Sequence, residues 1–128
     1  MWKSNSDIPN EVKRRFESAL ALRDAGHKDQ SCLILASLID QYPDWSPPYS
    51  IKGGILFDLN RLKEAEECFR HAVRLKPQSE IASLCLFHAL WAQSERESAM
   101  DEMKRFTVAG GISSDYQAIS NELLSKAE

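Results

Sequence analysis

Apolar residues along this chain recur every three or four positions and do not alternate, a pattern that predicts helices and no strands. Val12, Phe16, Ala19, Leu20 and Leu22 mark the buried side of a first helix, expected from about Pro9 to Ala25. Cys32, Leu35, Ala36, Leu38 and Ile39 mark a second, from about Asp29 to Gln41. Tyr49, Gly53, Leu56 and Phe57 follow on a third, and Leu62, Ala65, Phe69, Ala72, Val73 and Leu75 on a fourth. A looser pair carries Leu84, Leu86, Phe87, Leu90 and Trp91, then Ala99, Met103 and Phe106. The last helix has a single stripe, Tyr116, Ile119 and Leu123, and leaves Ser120, Asn121, Glu122 and Lys126 to water. One apolar face and one polar face suit a helix that closes the end of a stack.

Prolines and glycines fall where these helices should begin or end. Pro9 has no N–H to leave unpaired and so suits a first turn. Gly26-His27-Lys28 turns the chain, and Pro43 ends the second helix because it disfavours helical backbone at Tyr42. Ser46-Pro47-Pro48 reads as a side-chain cap followed by proline in the first turn. Asn60-Arg61 makes the next turn, and Pro77 stops the fourth helix. Gly110-Gly111 takes the place of a closing proline further on. Ser114 and Gln117 fit a capping box.

Tyr49, Gly53, Leu56, Ala65, Phe69, Ala72 and Pro77 form one ladder of large, small and helix-stopping residues within a period of about 34 residues. The unit from Ser46 to Ser79 resembles the tetratricopeptide repeat (TPR): Tyr49 stands at the large aromatic position and Gly53 at the small one, with Leu56 where the family prefers tyrosine. A first unit keeps Ala19, Leu22, Gly26, Ser31, Leu38 and Pro43 but has Arg15 at the aromatic position. A third keeps Leu86, Leu90, Ala99 and Phe106, with Phe87 at the small position and Gly111 where proline should be. Its hairpin is therefore expected to be splayed or shifted. The resemblance implies an all-α fold, a TPR-like right-handed superhelical stack of about three helical hairpins plus a C-terminal capping helix. It implies a single domain over 1–128, with repeats at approximately 12–45, 46–79 and 80–113 and the capping helix at approximately 114–127.

In stacks of this family the first helices of the repeats line a concave surface. Carried over, that geometry turns Lys13, Phe16, Leu20 and Arg23, then Ser50, Gly54, Phe57 and Asp58, then Leu84, His88 and Trp91 inward. A partner-binding groove is thus expected at Phe16, Leu20, Arg23, Phe57, Asp58, Leu84, His88 and Trp91, with Phe57 and Trp91 as anchors. Some family members grip a C-terminal carboxylate with inward Lys, Asn and Arg. The corresponding positions here carry Phe16, Leu20, Ile51 and Cys85, none of which donates to a carboxylate, so that clamp is excluded.

The remaining features narrow the reading further. A net charge of −3, with no Lys/Arg block, argues against nucleic-acid binding, which needs a concentrated basic face. Apolar runs such as Cys32 to Ala36 are far too short to span a membrane. Met1-Trp2-Lys3-Ser4 leads into polar residues, so no signal peptide is expected. Three cysteines, Cys32, Cys68 and Cys85, fall within helices and read as reduced thiols of a cytoplasmic protein. Cys68/His71 and Cys85/His88 have zinc-like composition, but their faces diverge, and no metal or cofactor is expected. Glu64, Glu66 and Glu67 with Arg61, Lys63 and Arg70 read as a solvated outer face of helical ion pairs. No phosphate loop, nucleophile elbow or paired-acid motif is present, so the chain is not expected to be an enzyme. The expected function is a protein-protein interaction module, an adaptor or scaffold binding another protein or peptide segment. The alternative is a dedicated, chaperone-like small binder, such as a secretion chaperone or a toxin-neutralising immunity protein. A further alternative is homodimerisation through the third repeat.

Overall fold

The computed structural model describes residues 7–127, among which are seven α-helices and no strand. They are α1 (Asn10–Asp24), α2 (Lys28–Gln41), α3 (Pro47–Asp58), α4 (Leu62–Leu75), α5 (Glu80–Ala92), α6 (Arg96–Val108) and α7 (Ser114–Ala127). Met1–Ser4, where no signal peptide is expected, lies outside the described residues. From α1 to α6 each helix packs on the next, and α3 also touches α1 and α5, so α1, α3 and α5 share one layer.

Each hairpin turn depends on one residue with left-handed backbone: Gly26 (φ 88°), Asn60 (φ 61°) and Ser94 (φ 63°). These positions are spaced by one repeat period each. In each turn the following N–H reaches back to a helix carbonyl, His27 to Leu22 (2.8 Å), Arg61 to Leu56 (2.8 Å) and Glu95 to Leu90 (3.0 Å). That bond satisfies one of the last-turn carbonyls that a helix leaves unpaired.

The helix starts differ from expectation. Pro9 is the residue before α1, with extended backbone, and its carbonyl accepts from Val12 and Lys13. Ser46 has helical backbone and no side-chain cap bond, while Pro47 and Pro48 do occupy the first turn of α3. Ser114 is already inside α7; Ser113 is the cap, its Oγ accepting the Tyr116 N–H at 3.1 Å. Ser79 caps α5 in the same way, accepting from Ala82 at 3.2 Å.

Packing explains the ladder. A Cβ at Gly53 would stand 2.6 Å from the Phe69 ring, so the small residue is what lets α3 close on α4. In the third hairpin the sizes are exchanged. The positions of Tyr49, Gly53, Phe69 and Ala72 are taken, one period later, by Ser83, Phe87, Met103 and Phe106. All four are buried, and the Phe106 ring fills the space that any Cβ at Gly111 would need. Bulk removed at Ser83 and Met103 is returned at Phe87 and Phe106. The expected splaying is therefore not found, and α5 meets α6 along its length as α1 meets α2.

α7 docks on this rearranged unit through Tyr116, whose ring meets Phe87 edge-on (5.6 Å, 72°) and Phe106 at a tilt (5.6 Å, 56°). Ser83 Oγ donates to Glu102 Oε2 at 2.6 Å, which commits its single hydrogen, so Tyr116 is the donor in the 2.7 Å bond between their hydroxyls. Arg105 grips both oxygens of Glu102 (2.7 and 2.6 Å) and donates to the Pro77 carbonyl. This chain ties α7, α5, α6 and the α4–α5 connection together.

One outer-face expectation also needs correction. Glu66 is 3% exposed rather than solvated. Arg70 (2.8 Å), Lys63 (3.4 Å) and Gln93 (3.0 Å) close over it. Burial works against its charge, but the hydrogen bonds from Arg70 and Gln93 hold its carboxyl below the usual range. Glu64, by contrast, is exposed and paired with Arg61.

Candidate functional site

A cavity of about 730 Å³ is lined by residues of α1, α3 and α5 and by Phe69 of α4. Arg23 from α1, Phe57 from α3 and Trp91 from α5 line it, each one repeat period after the last. Ile51 and Cys85, likewise one period apart, contribute further down the same helices, with Gly54 and Ser50 beside them. At the level of Arg23, Phe57 and Trp91 the repeat therefore places one side chain per hairpin in the cavity wall.

Five of the eight expected residues meet here: Arg23, Phe57, Asp58, His88 and Trp91. The other three do not line the cavity. Phe16 turns toward the α1–α2 interface, its ring 5.2 Å from Trp45, where it packs with Val12 and Leu38. Leu20 is half-buried on α1, and Leu84 packs against the main core. For Phe16 and Leu84 packing explains the displacement, because each meets core residues of a neighbouring helix before it reaches the cavity.

Ile55, Phe69 and Ala92 belong to the lining but were not anticipated. Ala92 could have been found from the period, since it stands one repeat after Asp58. Phe69 gave no such signal, because it comes from the even-numbered α4 and reaches the cavity past Gly53.

Trp91 is half-buried and held from two directions. Phe87 stacks on it at 5.5 Å and 15°, and the Arg96 guanidinium sits 5.1 Å from its ring. His88 meets Phe87 edge-on at 5.6 Å. Phe57 is half-buried against the core and presents its remaining surface to the cavity. Burial pushes the Cys85 thiol up, so it is a neutral, weakly polar part of the wall. Arg23 Nε donates to Asp24 at 3.0 Å.

Among the described residues no group of three or more His, Cys, Asp or Glu is placed to hold a metal ion. His71 of the first Cys-x-x-His pair stacks on Tyr49 (5.0 Å, 25°) on the exposed side, away from Cys85 and His88 in the groove. Among the described residues no helix is long and apolar enough to cross a membrane.

No protein-family model matches this chain, and no curated protein matches it. Solved structures do. The first TPR of Spaghetti (RPAP3) bound to HSP90 peptide SRMEEVD has a TM-score of 0.77 at 15% identity, covering 94% of this chain and 95% of its own. The CopN-Scc3 complex contains a chain with a TM-score of 0.78 at 12% identity, covering 96% of this chain and 72% of that one. The TPR2B-domain:pHsp70-complex of yeast Sti1 has a TM-score of 0.70 at 16% identity, covering 77% and 78%. With its paired helices, shared inner layer and these likenesses, the chain has an all-α, TPR-like superhelical fold.

Proposed function

We propose that this chain is a protein-interaction module that seats a segment of a partner protein in the cavity between α1, α3 and α5. The observation that carries the reading is the pair Phe57 and Trp91. Two large rings, from two neighbouring helices, keep part of their surface uncovered in one concave, largely apolar space. Such rings lose little conformational freedom on binding and supply large contact area. Each anchor is expected to contribute about 2 kcal/mol or more. The peptide named with the Spaghetti structure supports this reading by analogy of fold.

The same reading takes 1–128 as one domain of three repeat units and a closing helix. Its role is binding rather than catalysis, and its setting is the cytoplasm, where the three unpaired thiols remain reduced.

Affinity capture from the native source, followed by calorimetry on whatever is retained, tests the proposal. Trp91→Ala and Phe57→Ala are each expected to weaken binding roughly 30-fold while keeping helical circular dichroism and cooperative melting. Unchanged affinity in two folded variants would show that the groove is not the site.

A narrower reading is favoured by one observation. The likeness to a chain of the CopN-Scc3 complex spans 96% of this chain, and that neighbour is named together with a partner protein. On that reading the protein is a dedicated binder of one partner, such as a secretion chaperone or an immunity protein. Recovery of a single protein at one-to-one stoichiometry would favour it over a general adaptor.

A further inference from the structure

Resting on the groove reading, we infer that the segment seated there is both apolar and basic: an apolar side chain between Phe57 and Trp91, and a lysine or arginine beside it that pairs with Asp58. Charge supports the second half. Two formally charged residues line the cavity, and they are not equivalent. Arg23 is already paired with Asp24. The Asp58 side chain makes no hydrogen bond or ion pair among the described residues, and Asp58 is the last residue of α3, whose final turn contains no basic side chain. Carbonyl dipoles at a helix C-terminus disfavour an anion, so Asp58 stands where the fold gives it no support. Arg61, the next cation along the chain, is committed to Glu64 through two bonds of 3.0 and 2.6 Å. A cation from outside would satisfy both Asp58 and the α3 carbonyl end.

Gly54 supports close approach. It lies one turn before Asp58 on the cavity side of α3, and a Cβ built there would meet nothing within 4 Å. Glycine weakens a helix interior, and unlike Gly53 this residue returns no packing within the protein. Its bare backbone leaves a floor on which a partner main chain can lie against α3, between the aromatic rings and the Asp58 carboxylate.

The test is a random-peptide display selection against the full chain, with wild type, Asp58→Lys, Gly54→Ala and Trp91→Ala as targets. Wild type is expected to select peptides with an apolar residue close to Lys or Arg, and Asp58→Lys to select Asp or Glu at that place. A synthetic peptide of the wild-type consensus should bind Asp58→Asn roughly two- to five-fold more weakly at low salt, as for an exposed ion pair. Its affinity should fall as salt rises. Gly54→Ala should melt at a higher temperature yet bind the same peptide more weakly, which a purely structural role would not produce. Selected peptides that lose binding in Trp91→Ala but carry no basic residue, or that are the same for Asp58→Lys, would overturn this inference and leave the groove standing. Failure to select any peptide, or peptides bound equally by Trp91→Ala, would overturn the groove itself.

Discussion

Ser94 repeats, with a side chain, the left-handed conformation that Gly26 adopts without one. A β-carbon in that conformation crowds the following carbonyl, costing about 1 kcal/mol or more, and asparagine at the equivalent Asn60 tolerates it better than serine does. Ser94→Gly is therefore expected to stabilise the protein by about 1 kcal/mol, seen as a rise of roughly 3–5 °C in melting temperature by calorimetry. At this scale the sequence was legible wherever a single steric demand governs a residue. Gly26, Asn60 and Gly53 could be read in advance because glycine or asparagine is nearly required there. Ser94 could not: a break between the two helices was expected, but serine gives no turn signal strong enough to mark the residue that makes it. Phe16 and Glu66 were misread for a related reason. What covers a side chain depends on the helix opposite, and spacing along one helix does not reveal it.

The helices themselves were foreseen to within a few residues, because apolar period and proline placement both act locally. Caps were less legible, since a one-residue shift in the start of a helix changes which serine reaches an N–H, as between Ser113 and Ser114. The attachment of α7 could be anticipated only as a stripe; its chemistry lies in Tyr116, Ser83 and Glu102, which are distant in sequence. Burial raises the Tyr116 hydroxyl from its ordinary value of 10 to about 12. The folded protein thus holds this proton more tightly than the unfolded chain does. The associated stability is intact below pH 10 and is lost progressively as pH rises from 10 through about 12. Denaturant titrations across that range should show the decline, and Tyr116→Phe should remove the portion due to this residue. The Tyr49 hydroxyl and the three thiols, also raised chiefly by burial, leave a residual dependence that starts lower. At neutral pH the same variant loses one buried hydrogen bond and should be destabilised by about 1 kcal/mol, measurable by urea unfolding.

For the molecule as a whole, the repeat period sets both the core and the cavity. The cavity lining was legible where the period alone decides, at Arg23, Phe57 and Trp91, and not at Phe16, Leu20 and Leu84, which are half-buried outside it. Tyr116 of α7 covers Phe87 and Phe106 of the third hairpin, which bears on self-association. Removing residues 114–128 uncovers Phe87 and Phe106, and the shortened chain is expected to form dimers or larger species by light scattering while the full chain does not. The exchange of sizes between Ser83 and Phe87, and between Met103 and Phe106, has a separate consequence for how the fold is recognised. Four of the places by which a repeat is recognised hold residues of altered size, yet the helices pack as if nothing had changed. What the fold keeps constant there is a sum of volumes across a pair of helices, not the letter at any one site. Paired exchanges of this kind can alter residue-by-residue likeness while the shape stays put. Such a shape is better recognised by which side chains fill a common space.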